Sequence, residues 1–148
     1  MIQRIQTVWL ILAASLIAVL GYNPIARLLT ADGRLLTMWF NRISGAQQKI
    51  SLLAAEIFLY GLMIILLVTI LLYRNRQVQL RLCRVASILL IGFTALIAGV
   101  LAMYTHKGLI VYFHFSSVIP PVALILVYLA ARAIKKDEEL VKSADRIR

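Results

Sequence analysis

Apolar and polar positions alternate along the chain on a long period: four apolar runs, separated by short connections rich in arginine, glycine, asparagine and proline. The cleanest run is Leu52–Tyr73, 22 residues with Glu56 as the one ionisable side chain. A bilayer core about 30 Å thick needs roughly 20 apolar residues of helix. The pattern therefore predicts membrane spans at about 5–22, 52–73, 85–104 and 118–134. Arg4 ahead of the first run also resembles a signal peptide. The cleavage pattern after it is poor, because Ala18 is followed two positions later by Leu20, so an uncleaved span is expected.

Within the runs, small residues mark where helices approach closely. Ala14 and Ala18 lie one turn apart in the first run. In the third, Ala95/Gly99 and Ala98/Ala102 form small-xxx-small pairs, which predicts that this helix packs at the centre of a bundle. Pro120 and Pro121 fall in the first turn of the fourth run, where a missing N–H costs little.

The connections carry different signals. Asn23-Pro24 stops the first helix, and Ala31-Asp32-Gly33 reads as a turn between Ala26–Thr30 and Arg34–Arg42. The latter segment is too short to span. It reads as a β-hairpin arm or as an interfacial helix carrying Trp39 and Phe40, with extended structure favoured. Gly108 breaks the third helix, and Leu109–Phe115 is rich in β-branched and aromatic residues. That is a strand signal, and pairing with Arg34–Arg42 is expected. The fold class is thus an all-α membrane protein: one integral membrane domain over residues 1–148, an antiparallel four-transmembrane-helix bundle with a small extracytoplasmic β-hairpin or sheet. The tail 135–148, KKDEELVKSADRIR, is expected to continue the fourth helix. Glu138 and Lys142 are spaced for an i,i+4 pair, and Leu140, Ala144 and Ile147 share a face.

Composition agrees. The chain is 62% hydrophobic with a mean hydropathy of +0.91, well beyond the 45–50% or so of a soluble domain. Its net charge of +10 belongs to the flanks of spans facing anionic headgroups, and no groove-reading motif points to nucleic acid. With four spans, one side collects eleven lysines and arginines and the other five. That bias places both termini in the cytoplasm of an inner-membrane, multi-pass protein.

The opening MIQRIQT, the middle segment RNRQVQLRLCR and the closing KKDEELVKSADRIR resemble a bacterial membrane family described as domain of unknown function 4293, found mainly in the Bacteroidetes. The resemblance covers essentially the whole chain. It implies a four-span inner-membrane protein and supplies no catalytic residues or cofactors to carry over.

Candidate chemistry is sparse. Glu56 is the one acid inside a span, and an intramembrane carboxylate points to function by default. Lys49, His106 and Lys107 come from the same side of the membrane, so a structural hydrogen bond or ion pair at the outer end of the bundle is preferred to a proton or cation role. His106 and His114 flank the proposed strand. Eight residues of strand would hold them more than about 20 Å apart, which argues against a metal site. Cys83 stands alone between arginines at the membrane boundary, which excludes an internal disulfide or a CxxC cluster. No phosphate loop, paired carboxylate site or Ser/His/Asp set is present, and no cofactor is expected.

These readings favour a non-enzymatic accessory or scaffold subunit of an inner-membrane complex. Its docking residues for a protein partner would be Asp137, Glu138, Leu140, Ala144, Asp145, Arg146 and Ile147. The alternative is a small transporter or ion pathway using Glu56, and a weaker one is a lipid-modifying membrane enzyme.

Overall fold

A computed structural model of the chain describes residues 3–45, 49–73 and 75–145. Four helices form a bundle: α1 (Gln3–Tyr22), α2 (Leu53–Leu71), α3 (Arg76–His106) and α4 (Ile119–Asp145). Each is long and apolar enough to cross a membrane. Helix α4 packs against α1 and α3, and α2 packs against α1 and α3. The helices therefore form an antiparallel ring, with sequence neighbours side by side and α4 closing onto α1.

A repeating stripe of side chains holds the ring together. The buried residues of α3 are Gln79, Cys83, Ala86, Leu90, Phe93, Ile97 and Leu101. Those of α2 are Ala55, Leu59, Leu62, Leu66 and Thr69. In α4 the stripe runs Ile119, Ala123, Val127, Ala130, Ile134, Asp137, and in α1 it runs Gln6, Leu10, Ala13, Ile17, Leu20. Steps of three and four residues keep one face inward, as in left-handed bundles. The opposite faces are apolar too: Ile57, Ile64, Leu71, Ile88 and Ile125 are all exposed. A helix apolar all round, on the outside of its bundle, has lipid for solvent.

The expected central position of α3 through its small residues is not what forms. Ala95, Ala98, Gly99 and Ala102 lie on its exposed face. The larger residues of the opposite stripe fill the bundle, because they provide the greater dispersion contact there. Among the described residues, buried alanines occur in all four helices, Ala55 in α2 and Ala86 in α3 among them, and α1 and α4 contribute two each, Ala13 and Ala14, Ala123 and Ala130. Helices α1 and α4 are in extensive contact.

One end of the bundle carries a five-stranded antiparallel sheet, ordered β4-β3-β2-β1-β5. The strands are β1 (Ala26–Leu29), β2 (Leu35–Met38), β3 (Arg42–Ser44), β4 (Lys49–Ser51) and β5 (Ile110–Phe113). The expected hairpin forms between β1 and β2, with Ala26 opposite Met38 and Leu29 opposite Leu35. Its turn closes through Gly33, whose φ of 75° is open to glycine at little cost. The expected segments Arg34–Asn41 and Leu109–Phe115 do both supply strands to one sheet, but they do not pair. Strand β5 pairs with β1, Ala26 opposite Phe113 and Leu29 opposite Ile110. The outer edge of β2 is taken by β3, which returns after the tight Trp39–Asn41 turn, so β1 has the open edge. Inward-facing Ala26, Leu28, Met38 and Ile43 are buried, which seats the sheet on the helix ends.

Candidate functional site

At the end opposite the sheet, the inward stripe changes character in every helix. The apolar sequence of each stripe ends in a polar residue: Gln6 in α1, Thr69 in α2, Gln79 in α3 and Asp137 in α4, all buried. A buried polar group needs a partner, and here the partners lie mostly on neighbouring helices. The Gln6 side-chain amide donates to the Ala133 carbonyl at 3.2 Å, tying α1 to α4. The Gln79 amide donates to the Thr69 carbonyl at 3.1 Å, tying α3 to α2. Thr69 lies in the last turn of α2, where carbonyls lack helical partners, so Gln79 acts as a cap supplied by another helix. The Thr69 hydroxyl turns back to the Ile65 carbonyl at 2.6 Å.

The third tie is ionic. Arg76 Nη2 lies 3.1 Å from Asp137 Oδ2, and Arg76 Nη1 donates to the Asp137 carbonyl at 3.3 Å. By geometry Oδ2 accepts no hydrogen bond, although it is within ion-pair range. The guanidinium is aligned on the backbone carbonyl and meets the carboxylate off the hydrogen-bond axis. The contact is therefore mainly Coulombic. Arg76 occupies the first turn of α3, which Asn75 starts: its side chain accepts from the Val78 N–H at 3.4 Å. The basic stretch Arg76–Arg84, expected as a connection, is thus the beginning of a helix.

The structure disperses the residues singled out from sequence. Asp137, at 8% exposure, faces α3 and is not available on an outer face. Glu138 lines a groove between α3 and α4. Leu140 is exposed, and Lys135 and Glu139 approach to 4.0 Å on the surface. Arg146 and Ile147 lie outside the described residues, as do the side chains of Ala144, Asp145 and Lys142, and with the last the expected Glu138/Lys142 pair.

Glu56 lies in the first turn of α2, at the sheet end, and is half-buried. A carboxylate there complements the helix dipole. No hydrogen bond or ion pair from the described residues reaches it, and the side chain of Lys49 lies outside them. His106 ends α3, exposed, and His114 follows β5, with Nδ1 3.1 Å from Ser116 Oγ. No group of three or more metal-ligating side chains occurs among the described residues. Cys83 is 1% exposed within the stripe of α3, packed as a small apolar residue.

The interhelix ties of Gln6, Gln79 and Arg76 did not emerge from the apolar runs, because each lies at or beyond a run's end. Extending the three-four stripe one or two turns further would have found Gln6, Gln79 and Asp137.

The family model for the domain of unknown function DUF4293 matches residues 2–147. The chain belongs to this family. DUF4293 membership spans almost the whole chain, including all four helices and the sheet. No curated protein is detectably similar to the chain. It is a multi-pass membrane protein of a bacterial family.

Proposed function

We propose that this DUF4293 protein is a non-enzymatic accessory or scaffold subunit of an inner-membrane complex, with both termini cytoplasmic and the tail as its docking element. The observation that carries the reading is the course of α4. It continues as helix to Asp145, past the Arg76–Asp137 tie that fixes its exit from the bundle, and presents Leu140 at 48% exposure. Glu139 and the lysines before it surround that leucine with both signs of charge. A mixed polar rim about an apolar centre suits a protein surface, whereas lipid adhesion favours a mainly basic face.

Transport through Glu56 has less support. Between its level and the polar layer at the other end, the buried residues described are apolar, among them Leu62, Leu66, Leu90, Phe93 and Val127.

Orientation rests on the eleven-to-five division of basic residues. Reporter fusions at residues 80 and 110 should report opposite compartments, with 80 inside; a shared compartment would exclude four spans. Docking is tested by deleting residues 139–148, which spares Asp137. Insertion and melting temperature should stay unchanged while co-purifying proteins fall at least about tenfold, as expected when the apolar centre of an interface is removed. Retention of the same partners by the truncated protein would refute the docking role.

A further inference from the structure

The tail end of the α3/α4 seam holds a groove that lies apart from the polar layer and shares Lys135 with the rim of the docking face. Two adjoining open chambers, about 460 and 340 Å³, share Leu80, Arg84 and Glu138 as walls. Arg81 also lines the second, and Tyr128, Arg132 and Lys135 the first. The basic residues come from one face of each helix: Arg81 and Arg84 three apart on α3, Tyr128, Arg132 and Lys135 in steps of four and three on α4. Three arginines and Lys135, whose ammonium also lies 4.0 Å from Glu139, thus converge on a groove lined by one carboxylate, Glu138.

Depth makes this more than a basic rim. Arg84 lies five residues beyond Gln79 along α3, and Arg132 five residues before Asp137 along α4. At 1.5 Å per residue each is about 7.5 Å further into the bilayer zone than the polar layer. Among the described residues, no ion pair or hydrogen bond reaches Arg81, Arg84 or Arg132. Arginines at that depth need a counter-charge or must extend to the headgroups, and two of them facing one groove repel each other unless an anion lies between. Tyr128, exposed on α4, lies nine residues before Asp137, about 13.5 Å from the polar layer, so its ring borders the groove in the acyl zone beyond the arginines.

We propose that this groove binds the phosphate headgroup of an anionic phospholipid, clasped by Arg81, Arg84, Arg132 and Lys135, with the acyl chains running along the apolar faces of α3 and α4. Arginine forks suit phosphate oxygens, and the exposed Tyr128 ring borders the path of the acyl chains. The net positive charge of the site selects anionic over zwitterionic lipid.

The test is native mass spectrometry of the full chain in mild detergent with equimolar phosphatidylglycerol and phosphatidylcholine, and separately with inorganic phosphate. Phosphatidylglycerol should be retained preferentially. Arg84→Gln combined with Arg132→Gln should weaken its retention roughly 25-fold, about fivefold per arginine. Arg27→Gln with Arg34→Gln, at the sheet end, should leave it unchanged. Equal retention by the first variant, equal loss in the second, or displacement of the lipid by inorganic phosphate at the same concentration would each overturn the assignment. Should the first variant not fold, wild-type protein is crosslinked with phosphatidylglycerol carrying a photoreactive headgroup. Labelling of the segments 80–84 and 128–135 is then the supporting result, and labelling confined to other segments the refuting one.

Discussion

At the sheet end, the connections between helices are joined by ladders of backbone hydrogen bonds, and the helices end wherever those ladders require. At the tail end no strand ladder forms among the described residues, and the side chains of Gln6, Gln79 and Arg76 tie α1 through α4. The first closure is distributed over the backbone and tolerates many side chains, provided the inward face stays apolar. The second depends on individual residues at single positions. Backbone ladders set a surface; side-chain ties set the register of one helix against another. A protein whose exposed tail leaves from the second end has its exit direction fixed by very few atoms.

The largest effect should come from spoiling the sheet's inward face. Leu28, fully buried, lies in β1 between two neighbours; Leu28→Asp places a carboxylate there without a partner, at a cost of about 4 kcal/mol or more. Thermal unfolding in detergent should show a large fall in melting temperature, and hydrogen exchange should accelerate first in Ala26–Leu29 and Ile110–Phe113. Exchange unchanged in those strands would mean that the sheet does not depend on that face. At the other end, Arg76→Ala leaves Asp137 largely buried without its cation. The loss should be about 3 kcal/mol, the low end for a broken buried pair because Arg76 is 23% exposed. Replacing both partners, Arg76→Met with Asp137→Leu, should restore stability to within about 1 kcal/mol of the parent. A double variant as unstable as the single one would show that the ion pair is irreplaceable for stability rather than for register.

Much of this architecture is legible in the amino-acid pattern. Leu52–Tyr73 has one reading, because only a membrane accommodates so long an apolar run, and the Asp32-Gly33 turn announces its hairpin. Strands β3 and β4 were not anticipated: three-residue strands such as Arg42–Ser44 carry too little alternation to register against their surroundings. Strand β5 pairs with β1 and not with the Arg34–Arg42 segment, because strand propensity says which segments are extended, not which edges remain free. The small residues of α3 misled for a related reason. They permit close approach, but the side of a helix that turns inward is decided by which stripe fills more space. As for the candidate sites, Arg84 and Arg132 are visible as charges in sequence. Their convergence on one groove depends on the relative rotation of α3 and α4.

The unequal helix lengths have a consequence for the surrounding bilayer. A side chain on Gly92 of α3 would meet the Phe58 ring of α2 at 3.2 Å, so these two residues share a level. From there α2 has five residues left to Leu53, while α3 has fourteen to His106, an excess of about 13 Å at 1.5 Å per residue. The hydrophobic thickness that the protein matches is therefore set on the α1/α2 side, where spans of 18 and 19 residues give about 27 and 28 Å. Thicker membranes must pinch inward along that flank alone. Such one-sided thinning is relieved when another short-spanned protein occupies the same flank, so lipid mechanics would bring neighbours to α1 and α2 and leave the α3/α4 seam facing lipid.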